Sequence, residues 1–359
     1  MKILLISNMY PSEKFPSYGI FVENQCKILE ESNIEVDKIV LKKKKIFLKI
    51  FSYSLYYMKI IYKSLFYKYD YIYVHYASHN SLPLLFVKFF KNRLTIIVNV
   101  HGSDVSPDSK KHENFQFLTA KLLLKTKYVI VPSMYFKNLV TKKYNFKFEN
   151  IFVSPSGGID TDVFNKKNTG IKKSLFRVGY VGRIDLNKGW DDLLDAYKLF
   201  INKTDIDSEL FIVGNGQENE QKNEKIRKLG IEKNVICKEL SNQNELSEIY
   251  NSFDILIFPT KRIQSESLGL VGLEAMACGI PVLGSKIGGL KEYIKDGENG
   301  FFFEPNNPND INKKLIKYLE LSQEEREKFS LEAQKTALKF SKKVVKENFL
   351  QLLLNLSNK

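Results

Sequence analysis

Short apolar runs alternate along this chain with longer stretches whose apolar residues recur at i, i+3 and i+4. The first pattern marks buried strands and the second amphipathic helices. In the first half, Ile3–Ser7, Val36–Leu41, Tyr71–His75, Leu94–Val100, Tyr128–Val131 and Ile151–Val153 are predicted strands. In the second half they are Phe176–Val181, Glu209–Val213, Val235–Lys238, Ile255–Phe258, Pro281–Leu283 and Gly300–Phe303. Strands separated by helices favour parallel sheets with helical cover, an α/β fold. Two such sets predict two doubly wound domains, with no solenoid-type repeat between them. The polar stretch Asn165–Lys173 sustains neither period and sets the junction, giving domains of residues 1–168 and 169–341. Farther on, Gln323–Leu356 reads as helix throughout, and its end, VKENFLQLLLNL, has a strong apolar face.

Residues 42–69 stand apart. After the lysines Lys42–Lys45, the positions Phe47, Ile50, Phe51, Ser54, Leu55, Met58, Ile61, Tyr62 and Leu65 follow helical spacing, with Ser54 the one weak member. Lys49, Lys59, Lys63 and Lys68 flank them. An amphipathic helix this aromatic and basic suits an anionic membrane surface. A helix packed in the first domain's core with a solvated basic face would show the same pattern, and periodicity does not separate the two.

Composition narrows the class. With 43% hydrophobic and 27% charged residues over 359 positions, the chain reads as a soluble globular protein with length for two cores. Cys26, Cys237 and Cys278 are odd in number and widely spaced, which argues against a disulfide framework or zinc knuckle and fits a reducing compartment. The opening MKILLISNMYP reads as a first strand rather than a secretory leader. No run reaches the roughly 18 apolar residues of a membrane span, so a cytoplasmic protein is expected. The net charge of +14 favours an anionic partner. No nucleic-acid-binding module is visible; nucleic acid is set aside, and an anionic membrane face is the better match.

The richest chemistry lies in FPTKRIQSESLGLVGLEAMACGIPVLGSKIGGLKEYI, residues 258–294. A strand ends at Phe258, a polar loop follows, and a helix runs from about Leu270 to Ala277 with Gly279 closing it. Ligands of open α/β sheets bind at the carboxyl ends of strands, so the free N–H groups near Gly269, Leu270 and Val271 favour a phosphate. Glu266 and Glu274 would stand about 12 Å apart were the span fully helical, roughly the reach from a donor sugar past a diphosphate to a ribose. Both could instead be solvated surface charges, but Glu274 sits in the small, apolar GLEAMACG and would need a partner there. In RVGYVGRIDLNKGW, Arg183 and Lys188 share one strand-to-helix loop, where two cations can clamp a diphosphate. Alone they would read as surface cations of a basic chain. His101 ends the strand LTIIVNV and is followed by Gly102, either projecting into a cleft or serving as a structural histidine; His75 reads as structural. Gly19 opens the helical run IFVENQCKIL and brings N–H groups to the same edge.

With these segments in view, the chain resembles the family 4, "glycosyl transferases group 1", glycosyltransferases of GT-B fold. The similarity covers nearly the whole chain: YPS and YGIFV, VNVHGSD, VIVPS, SPSGGIDTDVF, VGRIDLNKG and SESLGLVGLEAMACGIPVLGSKIGG. Glu-x7-Glu in that setting is highly specific. The resemblance implies two Rossmann-like domains facing across a cleft, with the helix at about 342–359 returned to the first. It implies retaining, metal-independent transfer of a sugar from a nucleoside-diphosphate sugar to an acceptor hydroxyl, with no cofactor beyond that substrate. It gives Glu274 the ribose hydroxyls, Glu266 the donor sugar and a part in the reaction, and Arg183 and Lys188 the diphosphate. His101 would approach the donor sugar, and Gly19 would let the first loop near the phosphates. Many members have Gly-Gly where this chain has Tyr18-Gly19, and Phe where it has Leu268.

Two Asp-x-Asp pairs, Asp160/Asp162 and Asp205/Asp207, follow no apolar run and read as structural rather than as a metal site. A lipid-linked or oligosaccharide acceptor, in polysaccharide or glycolipid synthesis at the inner membrane face, is expected from the basic aromatic segment. The rival readings are a GT-B sugar-nucleotide epimerase, which needs no acceptor, and a non-catalytic nucleotide-sugar-binding partner subunit. A dinucleotide-linked dehydrogenase would need a G-x-G-x-x-G turn after the first strand, which is missing.

Overall fold

The fold is that of a computed structural model, which describes residues 1–15, 18–43, 49–107, 113–155, 157–167, 175–239 and 242–357. The chain divides into one unit of Met1–Gly157 with Val345–Lys359 and a second of Gly158–Val344. The junction expected between residues 168 and 169 lies outside the described residues, as do Lys44, Lys45 and Phe47.

In the first unit the elements run β1 (Lys2–Tyr10), α1 (Ile20–Glu30), β2 (Glu35–Lys42), α2 (Lys49–Phe66), β3 (Tyr71–His75), α3 (Ala77–Phe90), β4 (Ile96–Asn99), α4 (Gln116–Leu124), β5 (Tyr128–Val131), α5 (Met134–Tyr144) and β6 (Ile151–Val153). The strands form one parallel sheet in the order β2-β1-β3-β4-β5-β6. Alternate residues of the strands feed opposite faces. Leu4, Ile6, Ile72, Val74, Ile96 and Val98 pack with α2, α3, α4 and α5. Ile3, Leu5, Tyr71, Tyr73, Ile97, Tyr128 and Ile130 pack with α1 and with Phe349, Leu352 and Leu353. The reversal of strand order after β2, with right-handed crossovers, puts α1 on one face and the next four helices on the other.

The second unit repeats the design with β7 (Phe176–Val181), α6 (Trp190–Lys203), β8 (Ser208–Val213), α7 (Asn219–Leu229), β9 (Val235–Lys238), α8 (Gln243–Ser252), β10 (Ile255–Phe258), α9 (Leu270–Ala277), β11 (Val282–Ser285), β12 (Gly300–Phe303), α10 (Pro308–Leu319) and α11 (Gln323–Leu338). Its parallel sheet has the order β12-β11-β10-β7-β8-β9, so β7 and β10 are central neighbours. One face carries α8, α9 and α11, and the other α6, α7 and α10. Expected and observed strands differ by at most two residues at any end except in β1, which runs three residues past Ser7 to Tyr10.

Two readings need correction. The helix expected across Gln323–Leu356 is broken: α11 stops at Leu338 and α12 (Lys342–Ser357) begins anew. The carbonyl of Phe340 accepts from the N–H of Ile159 at 2.9 Å, and the N–H of Lys342 donates to the carbonyl of Ile159 at 2.8 Å. A distant segment thus takes the groups an unbroken helical ladder would use. The second correction concerns α2. Its core face is Tyr56, Ile60 and buried Ser64, with Tyr53 and Tyr57 partly buried beside them. The expected stripe is split: Ile50, Phe51, Ser54, Met58 and Tyr62 are exposed, Leu55 is intermediate, and Ile61 and Leu65 pack partly buried against the core. The tyrosines win the core because their hydroxyls find partners there. Tyr56 donates to Asn80 Oδ1 and Tyr57 to the carbonyl of His79, both at 2.7 Å.

Candidate active site

In the second unit, two loops leave the carboxyl ends of the central strands β7 and β10, and backbone bonds tie them together. The N–H of Lys261 donates to the carbonyl of Asn187 at 3.0 Å. This brings Lys188 beside Glu266. The ammonium lies 2.9 Å from Glu266 Oε2, with side-chain exposures of only 15% and 7%. Thr260 donates its hydroxyl to the same oxygen at 2.7 Å. Burial alone would raise the Glu266 pKa, but the charge and hydrogen bond of Lys188, the charge of Arg262 and the Thr260 hydroxyl outweigh it and hold the carboxyl below its usual value. Glu266 is therefore an ionised, oriented carboxylate at neutral pH.

Three residues on, Gly269 takes φ +77, in the left-handed region, and caps α9 with its carbonyl, which accepts from the Tyr293 hydroxyl at 3.1 Å. A Cβ there would lie 2.6 Å from the Phe258 ring. The N–H groups of Leu270 and Val271 open the helix without a protein acceptor among the described residues, a concentration of donors suited to an anion. Because α9 starts only at Leu270, the stretch from Glu266 to Gly269 is loop, and the 12 Å helical spacing does not apply. Glu274, half-buried inside α9, has the partner its apolar setting demands. Tyr250 on α8 donates to Glu274 Oε2 at 3.1 Å. Burial still pushes this carboxyl up to about 7, with the Tyr250 hydroxyl opposing the rise.

Arg183 stands apart from the Lys188–Glu266 pair. Its side chain is 69% exposed and meets Asp185 at 3.1 Å. Its backbone carbonyl accepts from the buried Tyr180 hydroxyl at 2.9 Å, and that phenol lies within the fields of Asp185, Glu266 and Arg183 together. Of the four charged residues proposed for the donor, Lys188 and Glu266 are in direct contact, Arg183 is exposed and paired with Asp185, and Glu274 is held by Tyr250 within α9. Asp160 is spent on an ion pair with Lys342 at 2.7 Å.

His101 and Gly19 belong to the first unit. Gly19 has φ +78, and a Cβ there would fall 2.7 Å from the Met9 carbonyl carbon, so only glycine lets α1 start this close to β1. His101 Nε2 lies 3.0 Å from His75 Nδ1, the rings stacked at 15° with centroids 5.2 Å apart. Burial pulls the His101 pKa down to about 3, and burial with the His101 charge lowers that of His75, so both rings are neutral. Asp104 orients the loop: its Oδ1 accepts from the N–H groups of His101 and Gly102 at 2.9 and 3.0 Å, and its Oδ2 from Ala77 at 3.2 Å. Thr260, Tyr250 and Asp104 are not among the candidates from sequence, and His75 is read there as structural; Thr260 and Asp104 lie within the quoted FPTKRIQSES and VNVHGSD.

Family models fit the two halves in succession, "Glycosyltransferase Family 4" over residues 17–163 and "Glycosyl transferases group 1" over 162–336. The chain belongs to this glycosyltransferase family. It is 29% identical over 251 residues to a glycosyltransferase of Methanocaldococcus jannaschii, covering 67% of this chain and 64% of that one. It is 27% identical over 250 residues to the N-acetyl-alpha-D-glucosaminyl L-malate synthase of Bacillus anthracis, covering 66% and 61%. The match therefore spans less than two thirds of the length of these relatives. Among solved structures, HepE of Anabaena superposes with TM-score 0.76 at 19% identity, covering 99% of this chain and all of HepE. Sucrose-phosphate synthase of Thermosynechococcus elongatus gives 0.79 at 17%, covering 100% and 99%. The family member has the GT-B fold of two Rossmann-like domains. Among the described residues, no helix is long and apolar enough to cross a membrane, and no group of three or more His, Cys, Asp or Glu is placed to hold a metal ion.

Proposed function

We propose that the protein transfers a sugar from a nucleoside-diphosphate sugar to an acceptor hydroxyl, with retention and without a metal ion. The observation that carries this reading is the buried Lys188–Glu266 pair beside the open N–H groups of α9. An ammonium, an exposed guanidinium and a helix N-terminus, from the segments after β7 and β10, meet the charge that develops on a departing diphosphate, without a divalent cation. Glu266, ionised, accepts from sugar hydroxyls and stabilises positive charge developing at the anomeric carbon. Glu274 takes the ribose hydroxyls, and neutral His101 offers a sugar hydroxyl a hydrogen-bonding partner without fixed charge. HepE, of the same fold, was solved with UDP and with UDP-glucose, which supports a donor of that chemistry.

The acceptor in this reading is a lipid-linked or oligosaccharide substrate of cell-surface polysaccharide or glycolipid synthesis, met by a cytoplasmic protein at the inner face of the membrane. A relative named for capsular polysaccharide biosynthesis in Staphylococcus aureus, 27% identical over 171 residues (46% of this chain, 44% of that one), supports it. The test is a panel of nucleotide sugars, first for thermal stabilisation and then for turnover with and without EDTA. Donor-dependent product that survives EDTA and disappears in Glu274→Ala and Glu266→Gln is expected. Interconversion of free nucleotide sugars without an acceptor would replace this reading with an epimerase.

A further inference from the structure

Half of the large apolar side chains left exposed among the described residues lie on only three helices, α2, α3 and α4 of the first unit. They form stripes rather than scattered positions. On α2 these are Ile50, Phe51, Met58, Tyr62 and Phe66, the last four at a 7-4-4 spacing on one side of the helix. On α3 they are Leu82, Phe86, Phe89 and Phe90, and on α4 Phe117 and Leu124. Phe66, Phe89 and Phe117 are 73%, 78% and 66% exposed, which no packing requirement explains.

All three helices cover the same face of the sheet, with α3 adjoining both others. The ends of α2 and α3 are locked together: Lys91, just past α3, donates to the carbonyls of Ser64 at 3.1 Å and Tyr67 at 3.2 Å. This places the Tyr62–Phe66 and Phe89–Phe90 aromatic pairs at adjoining helix ends.

Basic side chains predominate on this face, although Lys63 is paired with Asp37 at 2.6 Å and Lys38 with Glu30 at 2.8 Å. None of the three helices contains an aspartate or glutamate. Lys59, Lys68, Lys121 and Lys125 have no carboxylate partner among the described residues. Two apolar hollows open here with lysine rims. One, of about 570 Å³, is walled by Leu82, Leu85, Phe86 and Leu124 with Lys121 and Lys125 beside them. The other, of about 420 Å³, places Phe51 and Leu55 of α2 against β2 among Lys38, Lys42 and Lys59.

We infer that the α2–α3–α4 face is a docking surface for an anionic lipid bilayer, entered by aromatic side chains and held by surrounding lysines. This face spreads exposed apolar side chains over three helices, α2 alone about 27 Å long, beside Lys59, Lys68, Lys121 and Lys125, which is the complement of acyl chains beneath anionic headgroups. The inference deepens the proposed membrane-borne acceptor, but vesicle binding needs no turnover and is tested separately from it.

The experiment is co-sedimentation of the whole protein with vesicles of phosphatidylcholine alone or of phosphatidylcholine mixed with phosphatidylglycerol, whose anionic headgroups attract lysines. At least tenfold tighter binding to the anionic vesicles, weakening as salt rises, is expected. Phe66→Ser/Phe89→Ser/Phe90→Ser is expected to lose tenfold or more. The control Leu331→Ser/Leu338→Ser, exposed leucines of α11, is expected to change nothing. Thermal melting and donor hydrolysis check that each variant is folded. Equal binding to neutral vesicles, equal loss in the control, or binding to neither vesicle with dimers in light scattering that the triple substitution dissolves, would each overturn the inference. If vesicle binding holds while no sugar is transferred to any lipid-linked acceptor, the proposed acceptor fails and the docking surface stands.

Discussion

Replacing Lys188 with methionine isolates the pair on which the active-site reading rests, because the aliphatic stem stays while the charge goes. Glu266, 5% exposed, would then be ionised and buried without its counter-charge. Breaking a buried pair by removing one partner typically costs about 3–5 kcal/mol. Here the Thr260 hydroxyl and the Arg262 charge remain, so a loss near the bottom of that range, about 3 kcal/mol, is expected. For a unit of this size that lowers the melting temperature by about 6–12 °C. The pH dependence has a definite sign. In the native protein the Glu266 pKa is depressed, so its contribution is present above the unfolded value of about 4.3 and fades as pH falls through the folded value. In the variant only burial acts strongly, the folded pKa rises, and the ionised carboxylate becomes a burden above about pH 4.3. Differential scanning calorimetry from pH 4 to 8 should therefore show the gap between the two proteins widening with pH. The double variant Lys188→Met/Glu266→Gln should recover much of the loss at pH 7, since no buried charge is left unpaired. A gap that stays constant with pH, or a double variant no more stable than Lys188→Met, would refute the reasoning.

Two further outcomes follow from the same geometry. Tyr250→Phe removes the hydroxyl that favours ionised Glu274; nucleotide affinity, rising with pH through about 7 in the native protein, should reach its plateau at higher pH and be several-fold weaker at pH 7, which calorimetric titration would measure and an unchanged profile would contradict. Because His75 Nε2 is buried without a partner, an N–H there would be the costlier arrangement, so His75 should donate from Nδ1 and leave His101 protonated on Nδ1. Long-range 1H–15N spectra should show that tautomer unchanged from pH 8 to 5, and lost on His75→Phe; a His101 proton on Nε2 in the native protein would sink the assignment.

The strands were legible because parallel strands buried on both faces read as continuous apolar runs, bounded in this chain by helices of a different period. What escaped were effects of distance. The break after Leu338 comes from a backbone bridge to Ile159, and its local sign is Ser341, whose hydroxyl oxygen accepts from the Val344 N–H at 3.4 Å. The orientation of α2 escaped for another reason: both of its faces are apolar, and only the hydroxyl partners of Tyr56 and Tyr57, supplied by α3, decide which turns inward. At the site, Glu274 advertised a need for a partner through its apolar neighbours, but nothing local named Tyr250. Lys188 and Glu266 each stood out within its own loop, whereas their contact depends on β7 and β10 being neighbours in the sheet. His75 read as an ordinary buried histidine because stacking on His101 requires β3 and β4 to be paired.

The first unit is assembled from two separated pieces of chain, and this orders events on the ribosome. Its sheet is complete once β6 has emerged, yet the face bearing Ile3, Leu5, Tyr73 and Ile130 still lacks Phe349, Leu352 and Leu353. The whole of the second unit must be translated before those residues appear. A nascent molecule therefore carries an incompletely covered aromatic surface throughout that interval, and holdase chaperones that shield such surfaces should engage it until translation passes residue 353.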